Sequence, residues 1–599
     1  MTHDSVPHTQ ANGTHKSSLT FSEVDEVYVV RQGWQKAEPT PVHQYGNRGD
    51  IFIAHHRTPP SGNLLEVATW LEVLDEGILK LLKDQFPRNA SLYDRKPGVF
   101  LNQVDLVAKG EKAGAATYEA FKKMLDFVLD RFTLFEDCIQ ELPKGTIRWQ
   151  LLWLIMSAGT EIETQDDLTG EMLAYNVDSW QYTMDDRGRA FVINGHFYQW
   201  SGMSFAKVNV SKKIPEFREV KPIDELEFWP LSDSRRPVLR ERGQRYARQY
   251  ARLVNTEYEG SFFSRALAGS ARVPGTGRVM IDVASYRRAN PTFDIWPDDV
   301  NRMVSNNGGG VGNSPDPDPD ALSPELYHLL PPSIHGFSLK AKRWGEFLVD
   351  NLAPIRWSSA AFDHLVIPDT HRRVVRSLVD VHTGALGSKL INDVVANKGE
   401  GLIIALHGRP GTGKTLTAEA VSEHLQVPLY VVSAGELGTT VIALERKLSE
   451  VLALATVWKA VLLIDEADIF LEKRSPSNIE RNALVGVFLR LLEYYSGVML
   501  LTTNRLEDFD EAFASRFSLT LRFDDLGQKA RAVLWAKFLQ LCCPEWAPQQ
   551  VAQVFDLDAL GAHVVNGRVI KQTVRTAQAL ALAENVPLAM THLKIVLSL

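Results

Sequence analysis

Cysteine is scarce in this chain of 599 residues: there are three, Cys138, Cys542 and Cys543, and two of them are adjacent. Three thiols cannot build a disulfide framework, and no Cys/His spacing suits a structural zinc, so a reducing intracellular compartment is expected. Long apolar runs are missing too. Residues 151–156 (LLWLIM) and 401–406 (GLIIAL) fall far short of the roughly 20 residues that span a bilayer. The first residues, MTHDSVP, contain no apolar stretch of the kind that marks a secretory signal. Nor is positive charge in excess. Lys and Arg number 65 against 73 Asp and Glu, a formal charge of −8. Binding nucleic acid takes clustered cations, so a nucleic-acid partner is not expected. No basic run marks nuclear import, which leaves cytoplasm and nucleus undecided. There is no internal repeat.

What is present is the composition of a globular protein, 45% hydrophobic and 23% charged. At about 150 residues per domain its length suggests three or four folding units. Residues 1–24 are polar and without period, as in a disordered tail. From 25 to 303 the two periodicities mix: residues 115–135 (AATYEAFKKMLDFVLDRFTLF) predict an amphipathic helix, and 191–193, 196–200, 205–210 and 277–282 predict short strands. This reads as an α+β N-terminal domain without chemistry-bearing motifs. Glu161, Glu163, Asp166 and Asp167 look like a solvated face, and the arginines from 235 to 252, with Tyr246 and Tyr250, like a solvated helix. Residues 304–324, rich in Gly, Pro, Asn and Asp, predict a flexible linker, and 325–357 a connecting segment. From 358 to 525 strands and helices alternate, which argues for a parallel sheet between helices; 526–599 reads as helical.

Chemistry concentrates in three places. Gly408-Arg409-Pro410-Gly411-Thr412-Gly413-Lys414-Thr415 follows an apolar strand and opens a helix, the context in which glycines let backbone N–H groups close on phosphate oxygens. Lys414 reaches the outer phosphates there, and Thr415 offers its hydroxyl to Mg²⁺. Asp465 and Glu466 end the apolar strand 461–464, with Asp465 lying 51 residues after Lys414. Carboxylates at the carboxyl end of such a strand can hold a metal (Asp465) and polarise an attacking water (Glu466). Asn504 ends a third buried run, 498–503; its amide can donate to a phosphate and accept from a water.

With these residues in series, the block from about 362 to 523 resembles the AAA domain of the AAA+ ATPase superfamily, with Walker A at 408–415, Walker B at 462–466 and sensor 1 at Asn504. The segment 509–517 (FDEAFASRF) is similar to that family's second region of homology. The whole chain resembles fungal AAA ATPases with a long N-terminal domain of unknown function. The resemblance implies an α/β fold, a P-loop AAA+ core over 358–525 with a helical C-terminal lid over 526–599, preceded by the α+β domain. It implies an ATP hydrolase with Mg²⁺ held by Thr415 and Asp465. Nucleotide contacts are expected from 408–415, Leu416, Asp465 and Arg568, the last at the sensor 2 position. Lys414, Glu466, Asn504 and Arg516 are the expected catalytic set.

Arg516 would act in trans, so a homo-oligomeric ring follows, expected as a hexamer, with an unknown protein partner engaged by the N-terminal domain. Ser515 stands where many relatives carry another arginine, and Arg522 is the second candidate. The stretch 362–366 (FDHLV) matches the segment whose backbone contacts adenine. One departure concerns mechanism. Threading motors carry a pore-loop aromatic, and in 433–444 (SAGELGTTVIAL) Val441 occupies that position, so threading of a polypeptide does not follow. A nucleotide-gated assembly scaffold with incidental hydrolysis is the alternative to a remodelling ATPase.

Overall fold

The computed structural model describes residues 20–29, 33–36, 50–58, 68–85, 92, 95–100, 115–140, 142–185, 188–266, 269–291, 322–358, 360–384, 401–473, 479–504 and 511–599. They fall into two compact units. The first comprises Met1–Gln249 with Phe293–Pro332, the second Tyr250–Thr292 with Ser333–Leu599. Most of the expected linker, through residue 321, lies outside the described residues.

Among the described residues the first unit holds two five-stranded sheets and a two-stranded pair, Thr146–Ile147 with Lys221–Pro222. In one five-stranded sheet, Thr20–Val29 and Asp50–Thr58 run parallel at the centre, with Gly33–Lys36, Ala68–Val73 and Gly98–Phe100 antiparallel around them. Residues 20–24, expected in the polar tail, thus begin a strand, and Phe21 stacks on Phe52 at 4.9 Å. Helix Ala115–Gln140 forms as its period predicts; Phe121 and Met124 bury against Phe52 and Leu71. The other sheet is antiparallel, in the order Phe205–Pro215, Gly188–Trp200, Met172–Asp185, Glu161–Gln165, Trp229–Pro230.

Two polar stretches of this unit depart from expectation. Glu161 and Glu163 lie on a strand, not on a solvated face. Glu163 is 3% exposed and accepts from Trp229 Nε1 at 2.8 Å, while Glu161 pairs with Arg236 and His328. The arginine-rich helix Arg235–Arg245 is likewise not simply solvated: Arg242 is buried and donates to Met172 O at 2.6 Å, Tyr246 is buried, and Tyr250, where the second unit begins, is buried too. Charge alternation could not reveal this, because the partners that compensate these buried groups are distant in sequence.

The second unit begins with a seven-stranded antiparallel sheet, ordered Gly269–Pro274, Ser261–Ala266, Arg343–Leu348, Ser333–Ser338, Gly277–Ile281, Val254–Tyr258, Leu352–Ala353. Its strands come from both sides of residues 292–321. Residues 250–292, grouped by sequence with the N-terminal domain, therefore pack with 333–599, and the expected connecting segment 325–357 supplies three strands. The reason is side-chain chemistry. Met280 and Phe337 of this sheet enter the same core as Tyr430, Val432, Leu448 and Trp458. Phe337, Trp344, Tyr430 and Trp458 meet with ring centroids 5.0–6.1 Å apart, and Trp458 Nε1 donates to Asp282 Oδ2 at 2.8 Å.

The remainder alternates as predicted: α1 (Asp369–Thr383), β1 (Leu402–Gly408), α2 (Lys414–Leu425), β2 (Leu429–Ser433), α3 (Val441–Val457), β3 (Val461–Asp465), α4 (Ile479–Glu493), β4 (Val498–Thr503) and β5 (Leu519–Phe523). The five strands are all parallel, in the order β2-β3-β4-β1-β5. Continuous apolar runs suit strands covered on both faces; β4 is buried at all six positions. Five helices follow: α5 (Gln528–Cys542), α6 (Pro548–Val554), α7 (Leu557–Ala562), α8 (Gly567–Ala583) and α9 (Met590–Ser598). They enclose a core of their own around Trp535, Leu539, Phe555, Ile570 and Leu593. Among the described residues, no helix is long and apolar enough to cross a membrane.

Asp282 is 4% exposed, so removing its indole donor leaves a buried carboxylate oxygen poorly satisfied. Trp458→Phe should cost about 1–3 kcal/mol in chemical denaturation. Tyr494→Phe, at a position 68% exposed, should stay within about 0.5 kcal/mol of wild type.

Candidate functional site

The strand order sets the site. β1 sits between β4 and β5, and β3 lies on the far side of β4, so the carboxyl ends of β1, β3 and β4 open at one edge. Leaving β1, the chain turns through glycines with φ of +152° (Gly408), +80° (Gly411) and +106° (Gly413). A Cβ on Gly408 would come within 2.2 Å of Phe523 O in β5, and one on Gly411 within 2.8 Å of the Asn566 side chain. Both the conformation and the space call for glycine. α2 then starts at Lys414, with its N-terminus facing the loop.

Lys414 is 8% exposed. Its ammonium donates to Gly408 O at 2.5 Å, Arg409 O at 3.0 Å and Asn504 Oδ1 at 3.0 Å. Burial lowers its pKa below the ordinary lysine value; Asp465 and Asp468 pull it back up, and Arg568 adds to the lowering. Thr412 ties the loop to itself through Arg409 O at 2.8 Å. Arg409 and Pro410 are exposed, Arg409 pairing with Asp525.

The parallel register puts Thr503 of β4 level with His407 of β1, so Asn504 emerges beside the loop. At the end of β3, the Thr502 hydroxyl donates to Asp465 Oδ1 and accepts from the Glu466 N–H at 3.0 Å. Glu466 takes φ +55°, a left-handed conformation that costs a non-glycine residue about 1–2 kcal/mol, and its side chain is exposed. Asp468 accepts from the Thr503 hydroxyl and from Asn504 N at 3.0 Å. Sequence reasoning passed over Thr502, Thr503 and Asp468. The available signal was hydroxyl residues closing an otherwise apolar strand, and a third acid one turn beyond Asp465.

The helical lid meets the loop directly: Gly567 N donates to Gly411 O at 3.0 Å, while Asn566 caps α8 by accepting from Val569 N at 3.0 Å. Between lid, α2 and the segment entering α1 lies a cavity of about 630 Å³. Leu365, Val366, Leu416, Leu534 and Phe538 make it apolar at one side; Thr412, Gly413 and Arg568 line it toward the loop. Such a space accepts a flat apolar ring joined to an anionic chain. The side chains of Asp363 and His364 lie outside the described residues, whereas Phe362 is buried.

Other predicted residues lie elsewhere. Arg516 is not among the residues lining the cavity; it donates to Ala512 O at 3.0 Å and to Glu493 Oε2 at 3.1 Å. Arg522 is exposed and pairs with Asp524 at 2.7 Å. Val441 is the first residue of α3 and packs, half-buried, on the core, while the next residue, Ile442, is 82% exposed. The side chain presented at the head of α3 is thus isoleucine. Among the described residues no three His, Cys, Asp or Glu side chains cluster as a metal cage. The Asp465 carboxylate and the Thr415 hydroxyl are hard oxygen donors. That short set fits Mg²⁺, which takes one or two protein oxygens and completes its shell with phosphate and water.

Residues 404–525 match the family model described as "ATPase family associated with various cellular activities (AAA)". Residues 137–235 match a domain of unknown function (DUF7025). Among curated proteins, the chain is similar to a putative 26S proteasome regulatory subunit homolog of Methanothermobacter marburgensis, 32% identical over 31% of this chain and 50% of that protein. It is also similar to the human ATPase family AAA domain-containing protein 3A, 31% identical over 21% of this chain and 23% of that protein. A third relative is the Xenopus laevis ATPase family AAA domain-containing protein 3-B, 34% identical over 23% of this chain and 24% of that protein. The chain thus spans half the length of the first and about a quarter of the others.

His407, 5% exposed at the end of β1, has its pKa lowered by burial and by Arg522 and Lys414. Below the ordinary histidine value of 6.5 the unfolded chain takes up this proton before the folded one does, so stability falls with pH until the folded pKa is reached. Denaturation at pH 7, 6 and 5 should show a shallower loss for His407→Asn than for wild type.

Proposed function

We propose that this chain, whose residues 404–525 match the AAA ATPase family model, hydrolyses Mg-ATP and couples the turnover to remodelling of a protein partner engaged by its N-terminal unit. The observation that carries this reading is the buried Lys414 ammonium, bonded at once to the loop carbonyls and to Asn504. One positive group thereby links the phosphate loop to the end of β4, the strand that pairs with the one ending in Asp465. The base would occupy the apolar side of the cavity beside Leu365 and Leu416, and the phosphates the loop N–H groups and Lys414.

Thr415 and Asp465 would hold Mg²⁺, which neutralises charge on the phosphate oxygens. Glu466 accepts the proton of the attacking water, and Asn504 orients that water against the γ-phosphate. The left-handed turn at Glu466, held by Thr502, keeps this carboxylate off the strand and free to reach a water. Arg568 approaches the phosphates from the lid. Arg516 serves a neighbouring subunit's site, which requires a ring, with six subunits as the family's pattern. To do so it gives up its ion pair with Glu493. The likeness to a proteasome regulatory subunit homolog supports a protein as the partner.

Val441, at the position where a motor would offer a ring, packs half-buried beside the exposed aliphatic Ile442, which favours one second reading: a nucleotide-gated scaffold in which assembly is the output. Phosphate release by wild type and Glu466→Gln, with mass by light scattering in Mg-ATP, separates the two. The remodelling ATPase requires turnover at least about a hundredfold faster in wild type than in the variant, with both assembling. Equal rates in two assembling proteins would hand the case to the scaffold.

A further inference from the structure

The antiparallel sheet of the second unit sends one charged side chain to the wall of the nucleotide cavity. Arg278 lies on strand Gly277–Ile281, paired with Glu257 on one side and bonded through its carbonyl to Leu339 N at 3.2 Å on the other. The next three residues, Val279, Met280 and Ile281, are at most 2% exposed, so this strand is fixed. The guanidinium lies 4.5 Å from the centre of the Trp357 ring and donates to Glu423 Oε1. The other oxygen of Glu423 accepts from Ser358 N at 2.8 Å. Ser358 and Glu423 both line the cavity, as do Glu419, one turn earlier on α2, and Lys571 of the lid.

We propose that Arg278 is a positioning residue for nucleotide binding: it neutralises Glu423 and clamps the cavity rim at Trp357 and Ser358 to the helix that begins at the phosphate loop. The inference rests on the cavity being the ATP site. Its physical basis is charge. Glu419 and Glu423 are successive carboxylates on one face of α2, and both line the cavity that the anionic nucleotide would occupy. Lys571 offsets Glu419, whose pKa is raised by burial and by Glu423 and lowered by Lys571 and Arg278. Arg278 offsets Glu423. Without it the carboxylate faces the cavity uncompensated, and the Ser358 amide loses a fixed acceptor. The device also makes affinity depend on the antiparallel sheet, into which the chain enters from the first unit at residue 250 and again at 333.

The test uses the full chain, a fluorescent ATP analogue with Mg²⁺ for affinity, and ATP turnover for kcat and KM. Arg278→Ala should weaken binding and raise KM about tenfold, with kcat within about twofold of wild type. Removing the stranded charge as well, in Arg278→Ala/Glu423→Gln, should recover affinity to within about threefold of wild type, since the amide still accepts from Ser358 N. A loss of fold would not be rescued in this way. Arg278→Lys, which keeps the charge, should bind within about threefold of wild type and serves if the alanine variant does not fold. Wild-type affinity in Arg278→Ala, a fall in kcat at unchanged KM, or a double variant as weak as the single one would each overturn the proposal. A wild type that shows no saturable binding would instead bring down the ATP reading, and this inference with it.

Discussion

Burying a lysine ammonium is expensive unless every proton finds an acceptor, and Lys414 meets that condition through two carbonyls of its own loop and the Asn504 amide. Much of the site's construction follows from this requirement. The carbonyls converge because the loop turns at glycines in conformations other residues resist. Asn504 is within reach because β4 lies next to β1, in a register that brings Thr503 level with His407. Asp465 and Asp468 supply compensating charge because β3 is the next strand out. The sheet order, more than any single contact, makes a buried cation tolerable where an anionic ligand must be met.

Around that cation the site has one layer of support from the sheet and another from outside it. Within the sheet, two hydroxyls do the positioning: Thr502 bridges Asp465 and the Glu466 backbone, and Thr503 joins Asp468, which also receives Asn504 N. From outside, the lid reaches Gly411 through Gly567, and the antiparallel sheet reaches α2 through Arg278. The aromatic contact of Phe337, Trp344, Tyr430 and Trp458 joins that second sheet to the parallel one. The unit that carries the phosphate loop is accordingly larger than its motifs suggest, and part of it precedes residue 292 in the chain.

The division between what was legible in the sequence and what was not has a physical origin. Lys414, Asp465, Glu466 and Asn504 could be found because each closes an apolar strand or opens a helix, and local periodicity reports those positions. Helix Ala115–Gln140, the parallel sheet and the helical lid were legible for the same reason. Groups whose meaning depends on a distant partner were hidden. Glu163 looks solvated until Trp229 is brought to it; Arg278 is an ordinary strand arginine until α2 stands beside it. The antiparallel sheet was missed because its strands are split by residues 292–321, and composition there signals a boundary even though the pairing crosses it. An alignment of position alone does not tell which side chain is presented: the start of α3 turns Val441 inward and Ile442 out.

Calorimetric titration of the full chain with ATP in the presence of Mg²⁺, repeated with Lys414→Met, tests the central claim most directly. If the buried ammonium organises a nucleotide site, wild type takes up one ATP per chain, and the variant, which keeps the length of the side chain but none of its charge, loses at least about tenfold in affinity. Equal heats and equal affinity in the two proteins would contradict the account.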